Sequence, residues 1–310
     1  MELVRGSLNV RESLCGGVVT LGSFDGVHLG HQALVRATVT LARRLGVPAI
    51  MLSFEPLPRE YLQPQTPPAR LTNLRERWRV LQGMGLDALV LLRFDEALRQ
   101  MSGNEFLSLL TQRLAVRGVV VGHDFRFGRG GEANAEFLQV AGRQAGFSVE
   151  IVSPVEAEGT RVSSSAVRTA LANGAFAEAA RLLGRPYSMR GRVVAGQQLG
   201  RTLGFPTANL RLRRRVSPLR GIYAVRVRGV ADGGWPAVAS LGTRPTVGGV
   251  EPLLEVFLLD YSADLYGREL EVEFIAHLRD ELRFESVELM VAQMHRDVAV
   301  ARERLDGTWQ

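Results

Sequence analysis

The stretch Val18-Val19-Thr20-Leu21-Gly22-Ser23-Phe24-Asp25-Gly26-Val27-His28-Leu29-Gly30-His31 decides how the first half of this chain folds. Four residues without a charge read as a buried strand. A loop containing Gly22 and Gly26 follows, and His28 and His31 open a helix that Leu34, Leu41 and Leu45 continue at helical spacing. Histidines three apart on a helix share a face. In the first turn they join free backbone N–H groups and a helix dipole that favours an anion. Gly26 permits a tight bend, and Gly30 leaves space for a phosphate to approach the backbone.

This is a phosphate site without lysine. The chain contains none, so all 38 basic residues are arginines. A Walker-type loop and Schiff-base chemistry are therefore excluded. The 310 residues suffice for two domains, with 46% hydrophobic and 23% charged residues, as in soluble globular proteins. The formal charge of +6 is spread along the chain, with its densest cluster at Arg211, Arg213, Arg214 and Arg215. Binding of small polyphosphates accounts for it better than binding of nucleic acid. The single cysteine, Cys15, excludes intramolecular disulfides and cysteine-rich zinc sites. No apolar run approaches the ~20 residues of a membrane span, and the first residues lack the order of a signal peptide. A cytoplasmic protein without a membrane partner is expected. The sequence is compatible with an oligomer.

Apolar runs at 18–21, 49–54, 88–93, 118–121 and 148–152 alternate with helical patterns at 32–45, 72–83, 103–115, 134–145 and 164–172. This alternation predicts a parallel sheet with crossover helices, which binds ligands beyond the carboxyl ends of its strands. A further helix is expected over 175–183, and Gly184-Arg185-Pro186 breaks it. Short strand-like runs follow at 191–195, 222–228, 237–241, 254–260 and 270–276, separated by Asp232-Gly233-Gly234, Gly248-Gly249 and Tyr266-Gly267. They predict an antiparallel barrel or sandwich. A helix over 286–305 closes the chain. The expected boundary separates residues 1–183 from 184–310.

The first module resembles the nucleotidylyltransferase superfamily, an α/β, Rossmann-like fold whose His-x-x-His turn holds ATP phosphates. The longer string Gly22 to His31 is similar to the N-terminal module of bacterial FAD synthetases, the bifunctional riboflavin kinase/FMN adenylyltransferases. Leu52-Ser53-Phe54-Glu55-Pro56, Gly122-His123-Asp124-Phe125-Arg126-Phe127-Gly128 and Val162-Ser163-Ser164-Ser165-Ala166-Val167-Arg168 match in order. The resemblance implies ATP contacts from Gly22, Phe24, Gly26, His28, Gly30, His31, Ser164, Ser165 and Arg168. His28, His31 and Arg168 would stabilise charge on the leaving pyrophosphate. Asp124, Phe125 and Phe127 would meet the flavin, although the two phenylalanines also suit a plain core. The chain departs from the family at Leu57, where histidine is usual, and at Ala133-Asn134, where Gly-Asp is usual.

The second module resembles the riboflavin kinase fold, a mainly antiparallel barrel with a C-terminal helix, from Leu183-Gly184-Arg185-Pro186-Tyr187 nearly to the end. Its most specific string is Gly200-Arg201-Thr202-Leu203-Gly204-Phe205-Pro206-Thr207-Ala208-Asn209. Thr207 and Asn209 present hard oxygens on one side of an extended segment, which suits magnesium. Gly200, Gly204 and Thr207 are expected at ATP. Glu255, a carboxylate in an apolar strand, needs a task or a partner. The resemblance makes it the general base toward the riboflavin 5′-hydroxyl; an outward position on an edge strand is the other reading. Arg279 and Phe284 match a segment near the flavin. The implied activities convert riboflavin to FMN and FMN to FAD, with Mg2+ and ATP as co-substrate. The rivals are a kinase with a drifted first module and a basic nucleic-acid-binding regulator.

Overall fold

A computed structural model describes residues 1–196, 200, 203–231, 233–246 and 249–306, for 244–246 and 249–251 the main chain alone. Arg201 and Thr202 of the glycine-rich string, and Asp232 and Gly248 of the expected turns, lie outside the described residues. The chain forms two compact units, one of residues 1–68 and 77–163, the other of residues 69–76 and 164–310. The second unit thus begins before the break at Gly184-Arg185-Pro186 and takes in an earlier excursion of the chain.

The first unit is built on six strands: β1 (Glu2–Arg5), β2 (Val18–Leu21), β3 (Ala49–Glu55), β4 (Ala88–Arg93), β5 (Gly118–Gly122) and β6 (Ser148–Val152). Their order is β1-β4-β3-β2-β5-β6, and every pair is parallel. Val18, Val19, Ile50, Leu52, Val90 and Val119 are wholly buried. Strands covered on both faces select such continuous apolar runs, which makes the four inner strands legible; Ser148–Val152, at the sheet edge, is exposed to half-buried and carries Glu150. β1 escaped notice because it is a four-residue strand at the sheet edge with a mixed burial pattern.

Helix α1 (Leu29–Leu45) follows β2 and ends at Gly46, which has the left-handed conformation (φ 65°) suited to glycine. Of the helix expected over 103–115, Gly103–Ser108 is α-helical and Leu109–Arg113 is a π turn. Asn134 caps the helix Ala135–Ala145, its Oδ1 accepting the N–H of Phe137 at 3.0 Å. Asn134, where the resemblance leads to an expectation of aspartate, thus serves as a helix cap. Leu57, where it leads to an expectation of histidine, is buried at 6% exposure before the short helix Pro58–Leu62.

The second unit contains a closed barrel of six strands: β7 (Ser188–Val194), β8 (Ala208–Arg211), β9 (Gly221–Arg228), β10 (Trp235–Thr246), β11 (Gly249–Leu258) and β12 (Glu269–Arg279). The order around it is β7-β8-β11-β10-β9-β12, antiparallel throughout. Pairing of the first strand with the last, Ser188 with Glu273 through Arg192 with Glu269, closes the barrel. Strand periodicity does not distinguish this closure from a sandwich. The helices Ser164–Ala172, Phe176–Leu183 and Val287–Asp306 belong to the same unit.

Residues 69–76 bind into this unit through a buried polar network. Arg214 Nη2 donates to both carboxylate oxygens of Glu76 at 2.7 Å, and the Arg190 N–H donates to Glu76 Oε1 at 2.7 Å. Tyr187 Oη donates to the Leu71 carbonyl at 3.1 Å. Burial raises the Glu76 pKa, an effect that the Arg214 charge and the hydrogen bonds oppose. Arg214 was one of four arginines in the densest basic cluster, yet its side chain is fully buried. That removes it from any surface for nucleic acid.

Candidate active sites

In the first unit, the glycine-rich loop leaves the carboxyl end of β2, at the centre of the sheet and beside β5. His28 is the N-cap of α1, and its Nδ1 accepts the backbone N–H of His31 at 3.3 Å. That bond leaves Nε2 as the N–H end of the His28 ring. The two imidazoles stack with centroids 3.6 Å apart, so the expected pairing of the histidines on one face holds. A Cβ on Gly30 would lie 3.2 Å from the His28 ring; the space left by this glycine is filled by the capping imidazole. Gly26 has φ 85°, where glycine is favoured.

Phe24 is wholly buried. Its ring lies beneath Gly22, where a Cβ would approach it to 3.3 Å, and 5.1 Å from the His31 ring. It therefore forms the floor of the loop. Phe24 and Val27 both have positive φ, 50° and 44°, although neither is glycine. Such conformations persist only where the surroundings enforce them, and they concentrate at functional sites. Arg77 supplies part of that enforcement. It is 1% exposed, and its Nη1 donates to the Ser23 carbonyl at 2.6 Å and to Ser53 Oγ at 3.1 Å.

At the end of β5, Asp124 accepts a hydrogen bond from Arg161 Nη2 at 2.7 Å, with both side chains largely exposed. Phe125 and Phe127 stack with centroids 5.6 Å apart. Phe127 is buried in the core and Phe125 packs partly buried against it. Ser164, Ser165 and Arg168 fall in the second unit, on the helix that begins at Ser164. There Arg168 Nε donates to the Ala69 carbonyl at 2.6 Å.

In the second unit, a cavity of about 260 Å³ lies between the barrel wall and the helix Val287–Asp306. Thr207, Glu255, Arg279 and Phe284 all line it. Along β11, Leu254, Val256 and Leu258 are buried, while Glu255 and Phe257 between them face the cavity. Glu255 is paired in register with Asn209 of β8 on one side and with Ser240 of β10 on the other. It therefore stands in the middle of the sheet and not on an edge strand. Asn209 itself is 8% exposed.

Gly200 is a position of close approach. A Cβ there would collide with the Phe205 carbonyl and lie 3.4 Å from Thr207 Oγ1. Gly204 takes φ 82°. Arg279 is clamped by Asp297, with Nε 2.9 Å from Oδ1 and Nη2 2.7 Å from Oδ2, and lies 5.8 Å from the centre of the Phe284 ring. Asp297, Ser240, Met290 and Met294 were not singled out from the sequence. Asp297 left a trace, as a charge in the helical stripe of Met290, Met294, Ala301 and Leu305. Among the described residues there is no cluster of three or more His, Cys, Asp or Glu suited to a metal ion.

The chain thus joins a parallel sheet with a glycine-rich loop at its centre to a barrel whose cavity is lined by hydroxyl and carboxylate side chains, an architecture of two modules each with its own candidate site. The family model for FAD synthetase matches residues 10–166 and that for riboflavin kinase matches residues 183–305. A curated bifunctional riboflavin kinase/FMN adenylyltransferase from Escherichia coli (strain K12) is 45% identical, covering 98% of this chain and 97% of the relative. One of the same description from Pseudomonas fluorescens is 48% identical, covering 97% of each. The chain belongs to the bifunctional riboflavin kinase/FMN adenylyltransferase family. A solved structure from Streptococcus pneumoniae, described as a macrolide-efflux protein, is 33% identical with a TM-score of 0.80, covering 97% of this chain and 99% of that one. That description applies to the other protein; among the described residues here, no helix is long and apolar enough to cross a membrane.

Proposed function

We propose that this chain phosphorylates riboflavin to FMN in its barrel module and adenylylates FMN to FAD in its parallel-sheet module, with one ATP consumed at each step. The observation that carries the reading is the barrel cavity. It gathers Thr207, Glu255, Arg279 and Phe284 from separate segments, as a flavin site with a base requires. The functional boundary is placed at 183/184, between helix and barrel.

In the kinase reaction, Glu255 accepts the proton of the riboflavin 5′-hydroxyl as its oxygen attacks the γ-phosphorus of ATP and ADP leaves. Phe284 and the clamped Arg279 offer a flat surface and a fixed charge to the flavin. Thr207 and Asn209 supply hard oxygen donors, and Asn209 is in register with Glu255. This donor set fits Mg2+, which when bound neutralises charge on the nucleotide phosphates. Gly200 and Gly204 shape the segment before these donors for ATP.

In the adenylyltransferase reaction, an FMN phosphate oxygen attacks the α-phosphorus of ATP and pyrophosphate leaves. No covalent enzyme intermediate is needed. Gly22, Gly26 and Gly30 shape the loop, Phe24 supports it, and the imidazoles of His28 and His31 offer N–H donors to the phosphates. The motif resemblance assigns Ser164, Ser165 and Arg168 to the same nucleotide, and Asp124, Phe125 and Phe127 to the flavin. The protein is expected to work in the cytoplasm on small-molecule flavins and Mg-ATP.

Incubation of purified protein with riboflavin, ATP and magnesium, with both products followed by chromatography, tests the proposal. FMN should appear first and FAD after it. Accumulation of FMN without FAD would reduce the first module to a non-catalytic partner. Formation of neither would overturn the reading.

A further inference from the structure

The motif Leu52-Ser53-Phe54-Glu55-Pro56 has no part in the roles assigned above, and Arg77 belongs to none of the motifs. The structure joins them beneath the nucleotide loop. Ser53 and Glu55 stand two apart at the carboxyl end of β3, on the same face of the strand, and β3 pairs directly with β2. Arg77 reaches both. Its Nη1 donates to Ser53 Oγ at 3.1 Å, and its Nη2 lies 3.6 Å from Glu55 Oε2. The same Nη1 donates to the Ser23 carbonyl at 2.6 Å, and the Ser53 hydroxyl donates to that carbonyl at 3.3 Å.

The Ser23 carbonyl therefore receives two donors where the chain leaves β2, one residue before Phe24 turns to positive φ. We infer that Arg77, oriented by Ser53 and Glu55, is a positioning residue for the loop 22–31 in FMN adenylylation. The inference rests on the reading of that loop as the nucleotide site. A buried guanidinium is costly unless its donors are used, and an apolar side chain of similar volume would fill the space without that cost. Its planar fork reaches the loop carbonyl and the β3 side chains together, which an ammonium does not. A guanidinium only 1% exposed thus reaches a loop carbonyl and the strand end beside it. A shift of Ser23 is transmitted through the short Phe24–Val27 turn to His28, whose ring caps α1 and stacks on His31.

The test uses the full chain with Arg77→Met, Arg77→Lys and Ser53→Ala. FAD formation from supplied FMN is measured as kcat and as KM for ATP and FMN separately, alongside riboflavin phosphorylation and a thermal melt. Arg77→Met should lower the adenylylation kcat roughly ten- to a hundredfold, the scale of a small misplacement of reacting groups. KM for ATP should rise while KM for FMN and the kinase rate stay near wild type. Arg77→Lys should recover part of the loss, and Ser53→Ala should show a smaller loss in the same step. Wild-type adenylylation by folded Arg77→Met, or a change confined to KM for FMN, overturns the inference. If Arg77→Met does not fold, wild-type kcat and KM for ATP in both Arg77→Lys and Ser53→Ala overturn it. A wild-type protein that makes no FAD brings down the loop reading itself. A wild type that makes FAD beside unaffected variants brings down only the positioning role.

Discussion

Asp297 grips Arg279 on both edges of its guanidinium, with Nε 2.9 Å from Oδ1 and Nη2 2.7 Å from Oδ2. The pair ties the end of a barrel strand to the helix Val287–Asp306 in the lining of the barrel cavity. Gln293 Nε2 also donates to Asp297 Oδ1, at 2.9 Å. A bidentate pair of this kind fixes orientation as well as charge.

Asp297→Ala should therefore act on both stability and binding. Breaking a buried pair typically costs 3–5 kcal/mol; with Arg279 18% exposed, about 2–4 kcal/mol is expected. Denaturant unfolding measures this loss. KM for riboflavin should rise, because the guanidinium is no longer held beside Phe284. An unchanged KM would remove the clamp from flavin binding.

Glu255→Gln keeps the shape of the side chain and removes the proposed base. FMN formation should fall by about a hundredfold or more, while conversion of supplied FMN to FAD continues. Product analysis with each substrate separates the two steps. Kinase activity near wild type would exclude Glu255 as the proton acceptor.

Substitution can separate the capping role of His28 from the phosphate-donor role proposed for it. As N-cap it accepts the N–H of His31, and loss of such a cap costs about 1 kcal/mol. Asparagine is also a good cap, so His28→Asn should melt close to wild type. Its FAD formation should nevertheless drop by about 10²–10³, the scale for loss of one preorganised donor. The double change His28→Ala, His31→Ala should remove most FAD formation and leave riboflavin phosphorylation intact, so that FMN accumulates. FAD formation by His28→Asn at the wild-type rate would reduce the histidine to a cap.

Tyr223 should ionise well above the ordinary range of a tyrosine. It is 3% exposed, and its hydroxyl donates to the Arg220 carbonyl at 2.6 Å. Burial pushes its pKa up from 10.0 to about 12, with the backbone bond at Arg220 acting in the opposite direction. The folded pKa lies above the unfolded one, so the stability linked to the protonated phenol is complete below pH 10 and is lost as pH rises through about 12. Phenolate absorbance should show a late phase that is absent in Tyr223→Phe. That variant should also lose less stability between these two pH values. A late phase that persists in Tyr223→Phe would assign it to another tyrosine.

The sequence by itself determined the parallel sheet, because strands covered on both faces take uncharged, mostly apolar runs, as at Val18–Leu21 and over residues 88–92. It also marked the loop from Gly22 to His31 and the Thr207–Asn209 and Glu255 positions, since glycines, paired histidines and a carboxylate within an apolar strand are local features of residue type and spacing. Tertiary structure alone decided that the strand-like runs of the second half close into a barrel, because closure depends on the pairing of β7 with β12, far apart in sequence. It decided that Glu255 stands between Asn209 and Ser240, since register across strands leaves no mark along a single strand. It showed that Arg77, Arg214 and Asp297 are interior charges. Each looks like an ordinary helix or surface residue until a partner distant in the chain arrives to satisfy it: Ser23 for Arg77, Glu76 for Arg214 and Arg279 for Asp297. A buried charge is tolerated only with such partners, and those partners are fixed by the fold.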